Sequence, residues 1–246
     1  MSQQQDRPKD RRAKITAMRA ADARQSARRK NLAVTAAVAG AVVVVLAAFV
    51  LISKIGGGDG GATGAVAAGE SQLVRADSHT VQSAADGKVT LVEFLDFECE
   101  ACRAYFPIVE ELRKQYAGKV TFVVRYFPLP GHFNAERAAR AVEAAAQQGR
   151  FEAMYQRMYE TQTQWGEKQV PADTVFRGFA QGLALDMAAW DKAYNDPATL
   201  ARVNKDVADG QALGVSGTPT FFLNGTKIQP QSRDEFKAAI DAALAG

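Results

Sequence analysis

The sequence predicts an α/β domain carried behind a single N-terminal transmembrane helix. Three observations lead there: an uncharged apolar span near the N-terminus, a strand–helix–strand pattern at mid-chain, and a run of helical patterns before a closing hairpin and helix.

Between Lys30 and Lys54 no residue is charged, and Leu32 to Ile52 is apolar apart from Thr35 and Gly40. A helix of about 20 apolar residues crosses the hydrocarbon core. The span exceeds the roughly 7–15 apolar residues of a cleaved signal peptide, so residues 31–55 are expected to be a retained signal anchor in the lipid bilayer. Residues 1–30 hold ten Lys+Arg against three Asp, a net +7. The positive-inside rule therefore puts this basic tail in the cytoplasm and the rest of the chain outside it, at the cell membrane. The remaining 20 Lys+Arg and 24 Asp+Glu give −4, which argues against nucleic-acid binding by the folded part. Residues 56–70 are Gly/Ala-rich and read as a flexible linker, leaving 71–246 as the folded domain.

Within that domain, Gln72 to Val74 is expected to be a short first strand. Thr80 to Lys88 reads as a polar stretch ending in the turn pair Asp86-Gly87, and His79 lies in a polar loop without a signal of its own. Val89, Leu91, Val92, Phe94 and Leu95 form an almost unbroken apolar run, which suits a strand covered on both faces. Arg103 to Ala117 has apolar positions at a 3.6-residue period, with Pro107 expected to kink it and Gly118 to stop it. Val120 to Phe127 is the next strand, parallel to the first because a helix connects them. Helical patterns follow at 134–163 (interrupted at Gly149), 172–182, 186–195 and 197–213, so about 132–213 reads as a helical insertion. Two short strands then flank Asn224-Gly225, the pair favoured in type I′ hairpins, and Arg233 to Leu244 closes the chain as a helix.

The chain has two cysteines, Cys99 and Cys102, set where the central strand passes into its helix. At that spacing they can close a small disulfide ring. The first would lie among free N–H groups at the positive end of the helix dipole, a setting that favours the thiolate, the nucleophile of thiol–disulfide exchange. A zinc site needs about four ligands, more than this pair supplies, so no metal is expected. A purely structural disulfide here would close too short a loop to constrain the unfolded chain.

Taken in order, the strand Leu91 to Phe97, Cys99-Glu100-Ala101-Cys102, Pro107, Arg125 to Leu129, the Ala-rich helices, Gly217 to Phe221 and the Asn224-Gly225 hairpin resemble the DsbA-like thiol–disulfide oxidoreductases. The resemblance covers about Ser71 to the end. It implies a thioredoxin fold with an inserted α-helical domain and a cis Thr218-Pro219 bond facing the cysteines. Backbone at Thr218 would then be free to pair with a bound substrate strand. It also implies Cys99 as the exposed attacking sulfur, Cys102 as the buried resolving sulfur, and Glu93 as a buried acid beneath them that relays a proton to Cys102. No small cofactor is implied beyond the redox-active disulfide.

The residues between the cysteines, Glu100 and Ala101, depart from the Pro and His or aromatic residue of strongly oxidising members. Ala101 offers no donor, and Glu98 and Glu100 place negative charge near Cys99. Both are expected to raise its pKa and make the couple less oxidising than a Pro-His variant. Asp96 has no assigned role, and His132 reads as a loop or cap histidine. Phe127, Leu129, Phe133, Trp165 and Phe222 are candidates for an apolar groove, though core positions suit most of them. The reading is a membrane-tethered, extracytoplasmic oxidase for reduced or unfolded exported proteins, reoxidised by a membrane quinone-linked DsbB- or VKOR-type partner. The alternatives are a reductase or isomerase on the same fold, or a non-catalytic chaperone.

Overall fold

The computed structural model describes residues 72–246; the tail, anchor and linker expected at 1–30, 31–55 and 56–70 lie outside them. Among the described residues no helix is long and apolar enough to cross a membrane.

Among the described residues twelve elements follow in order: β1 (His79–Gln82), β2 (Thr90–Leu95), α1 (Glu100–Gln115), β3 (Thr121–Tyr126), α2 (Ala135–Ala146), α3 (Phe151–Trp165), α4 (Asp173–Gly182), α5 (Met187–Asn195), α6 (Pro197–Ala212), β4 (Thr220–Leu223), β5 (Thr226–Ile228) and α7 (Arg233–Ala245). The sheet order is β1-β3-β2-β4-β5. β2 runs parallel to β3, and every other pairing is antiparallel. Strand, helix and parallel strand form as the apolar pattern predicts. The β4–β5 turn carries positive φ at Asn224 (46°) and Gly225 (85°), as a two-residue type I′ connection requires.

The first strand differs from the expectation. Residues 72–74 form bends, and β1 starts at His79. The carbonyls of Gln72 and Leu73 both accept from Arg125 Nη1 at 2.8 Å, so this segment turns its backbone to the guanidinium. His79 is correspondingly a strand residue rather than part of a polar loop. Its Nε2 lies 2.7 Å from Glu143 Oε2 on α2, and its ring stacks on Phe151 at 4.0 Å between centroids.

β2 is covered on both faces, which explains its composition. Leu91 packs with Val109, Leu112, Phe122, Phe221, Phe236 and Ile240 in the layer of α1 and α7. Val92 and Phe94, pointing the other way, pack with Val123, Phe127, Val215 and Phe222. By the period-2 rule Glu93 shares the face of Leu91, and it is buried there. The helices α2 to α6 build a third apolar cluster against Leu95, Phe97 and Tyr126, with Trp165 and Trp190 fully enclosed.

Two contacts seat α6 on the sheet. The first is polar: Arg125, fully buried on β3, donates to Asp206 Oδ1 (2.7 Å) and Asp209 Oδ2 (2.6 Å), while Asp206 Oδ2 accepts from Tyr126 N (3.0 Å). The second is steric. A Cβ placed on Gly210 would meet the Phe127 ring at 2.8 Å and Phe94 at 3.1 Å. Those rings are themselves locked edge to face, 6.3 Å apart. Gly210→Ala should therefore lose stability, by about 1–3 kcal/mol from overpacking, although alanine is the better helix former by about 1 kcal/mol. A urea midpoint equal to or above that of the parent would show that the rings yield.

Candidate functional site

Cys99 is the N-cap of α1, with extended backbone (φ −68°, ψ 122°). Both sulfurs are free thiols. Across from them, the Thr218-Pro219 peptide bond is cis. Cys99 Sγ donates to the Thr218 carbonyl oxygen over 3.3 Å, so the pair and the proline loop, 119 residues apart in sequence, form one site.

Cys99 is less open than expected. It keeps 7 % of its surface, against 1 % for Cys102. The backbone at Thr218 lies against its sulfur, and Gln162 Nε2 on α3 donates to the carbonyls of Phe97 (2.7 Å) and Cys99 (2.9 Å). The Cys99 sulfur therefore sits in a narrow opening rather than on an exposed face.

The two thiols are driven apart in acidity. Cys99 is lowered to about 6, chiefly by a hydrogen bond from the Cys102 thiol; burial opposes this, and Thr218 and the Cys102 backbone N–H assist it. Cys102 is pushed well above the ordinary thiol range by burial, by its bond to Cys99 and by the charges of Cys99 and Glu93. Cys99 is thus the sulfur that ionises and Cys102 the one that holds a proton. Glu93 is pushed up to about 8 by burial, with Glu110 on α1 and Cys99 adding like charge. It is a neutral acid at neutral pH, matched to giving up or accepting a proton.

The expected effect of the neighbouring acids needs correction. Glu98 is buried, and its carboxylate accepts from Asn134 N (2.5 Å) and Glu167 N (2.9 Å), two loops of the helical insertion. It braces those loops instead of facing the sulfur. Glu100 and Ala101 are both exposed on the first turn of α1. The carboxylate that works against the Cys99 thiolate is Asp96. Asp96 Oδ1 accepts from Glu98 N (2.8 Å), and Oδ2 accepts from Leu129 N (2.9 Å) and lies 2.6 Å from His132 Nδ1. Neither Asp96 nor His132 carried a sequence signal for this, because 36 residues separate them. Of the candidate groove residues, Phe127, Trp165 and Phe222 are core, and Phe133 is exposed beneath Arg137. A separate hollow of about 230 Å³ lies beside Pro219, lined by Tyr105, Phe221, Ile228 and Pro230.

The family described as Thioredoxin matches residues 77–242. The chain belongs to the thioredoxin family. Among solved structures, this thioredoxin-family chain is similar to a thioredoxin-like oxidoreductase from Silicibacter pomeroyi DSS-3, with 26% identity, a TM-score of 0.57, and coverage of 69% of this chain and 93% of the other. It is similar in fold to alpha-DsbA1 of Wolbachia pipientis, with 18% identity, a TM-score of 0.62, and coverage of 70% and 94%. A curated relative, the Na(+)/H(+) antiporter NhaA 3 of Salinispora tropica, is 36% identical over 171 residues. That match takes in 69% of this chain and 25% of the antiporter, so the thioredoxin-family chain spans about a quarter of the length of this relative.

Proposed function

We propose that the protein is a thiol–disulfide oxidoreductase acting on protein cysteines through Cys99 and Cys102, with net flow in the oxidase direction. The observation that carries the exchange chemistry is the geometry: Cys99 caps the helix N-terminus with its sulfur 3.3 Å from the Thr218 carbonyl of the cis Thr218-Pro219 bond, and Cys102 is buried behind it.

In the oxidase direction a substrate thiolate attacks Cys99 of the Cys99–Cys102 disulfide. The protein S–S bond breaks, a mixed disulfide forms, and Cys102 leaves as a thiolate that takes the proton of Glu93. A second substrate thiolate attacks the substrate sulfur of the mixed disulfide and releases the Cys99 thiolate. The substrate gains a disulfide, and the two electrons remain on the protein as a dithiol. Backbone at Thr218 aligns the incoming strand, and Pro219 shapes the loop that presents it. Reoxidation calls for a disulfide or quinone oxidant, and a membrane quinone-linked enzyme of the DsbB or VKOR type suits an anchor at residues 31–55 with the domain on the extracytoplasmic side.

The test is catalysed reduction of insulin and reoxidation of reduced ribonuclease by the full chain. Both activities should fall to background in Cys99→Ser. Full chaperone-like protection of substrate by Cys99→Ser, with no exchange by the parent, would replace the enzyme with a holdase. Alkylation trapping in cells reads the direction: a mostly oxidised pair supports the oxidase, a mostly reduced pair the reductase or isomerase.

A further inference from the structure

We propose that His132 is a positioning residue for the redox pair: seated on Asp96, its imidazolium supplies the positive charge that the Glu100-Ala101 turn lacks and keeps the Cys99 thiolate populated. This rests on the exchange chemistry proposed above.

The geometry begins with Asp96. Its backbone and side chain both belong to the cysteine turn: the Asp96 carbonyl accepts from Cys99 N (3.2 Å) and its Oδ1 from Glu98 N (2.8 Å). The side chain is buried, so its charge is poorly screened by water. Alone, that carboxylate acts against the Cys99 thiolate. His132 Nδ1 meets it at 2.6 Å, from a loop that Leu129 N also pins to Asp96 Oδ2 at 2.9 Å. The imidazole remains 30% exposed at its rim, so it exchanges protons with water.

The other titratable groups around this cluster come from four directions. Glu98 and Cys99 belong to the same turn, Cys102 to α1, Glu93 to β2, and Tyr159 to α3, where its hydroxyl donates to the Asp96 carbonyl at 3.3 Å. Glu98 spends its carboxylate on two backbone N–H groups, Glu93 and Cys102 hold their protons, and Tyr159 is raised far above neutrality. His132 and Cys99 are coupled directly, since the Cys99 charge is among the causes that raise the imidazole. The His132 pKa is raised, first by the bond to Asp96, with the charges of Asp96, Cys99 and Glu98 also contributing. As pH climbs through that raised value the imidazolium loses its proton, and Asp96 then acts on the sulfur without its counter-charge.

The experiment compares His132→Gln with His132→Lys in the reduced full-length chain, by thiolate absorbance and by the pH profile of iodoacetamide alkylation at Cys99. The glutamine variant keeps a hydrogen bond to Asp96 and loses the charge; the lysine variant keeps a charge. Near pH 6, His132→Gln should alkylate roughly threefold to tenfold more slowly than the parent, and His132→Lys at close to the parental rate. Equal slowing in both, or no change in either, overturns the proposal and leaves His132 as a loop brace. Insulin reduction by the parent is measured alongside. Absence of exchange there counts against the oxidoreductase reading and not against the charge coupling, which the titration reads by itself.

Discussion

Glu93→Gln is expected to separate stability from turnover. The variant should become progressively more stable than its parent as pH rises, while ejection of Cys102 slows by about 100-fold, the lower range for loss of a positioned acid. The carboxyl titrates near 4.5 in the unfolded chain and near 8 in the fold. Between those values the unfolded state has released a proton that the folded state still holds, so parental stability falls with rising pH. A buried group with that displacement costs on the order of 3 kcal/mol across pH 5 to 8, and an amide has no such slope. Chemical denaturation of the two reduced proteins across that range reads the difference. Parallel stability curves would mean that Glu93 is ionised in the fold, and an unchanged pH–rate profile would remove it from the proton path.

The second large effect lies at the seat of α6. Asp206→Ala should destabilise the domain by about 3–5 kcal/mol, since it strips a fully buried Arg125 of one carboxylate and leaves Tyr126 N without its acceptor. Arg202 also loses its ion pair to Asp206 at 2.7 Å. For comparison, Arg177→Ala opens the exposed Arg177–Asp191 pair on the helical insertion and should leave stability almost unchanged, because solvent screens that pair. Urea midpoints for the two variants give the ratio. Equal shifts would show that the Arg125 cluster is hydrated rather than sealed.

The elements whose partners lie close in sequence were readable from sequence alone. β2, α1 and β3 announce themselves through apolar period and connection, and Asn224-Gly225 marks its hairpin. Cys99 and Cys102 stand out as a candidate pair through spacing and position. What could not be read depends on contacts between distant residues. His79 sits in a strand because Glu143, 64 positions later, and the Phe151 ring hold it there. Glu98 resembles a first-turn helix acid until the loops at Asn134 and Glu167 are seen to close on it. Asp96 becomes part of the site only when the chain returns with Leu129 and His132. Short polar residues advertise what they are able to bond and leave open which partner they find.

Glu98 and Cys99 are sunk in the structure, while Glu100 and Ala101 next door face solvent. The dipeptide between the cysteines thus bears no architectural load, while the acid before it does. Substitution at these two solvent-facing positions leaves untouched the acid that ties the turn to its helical neighbour. A panel of inserts at those two positions would map potential against sequence on a nearly constant frame.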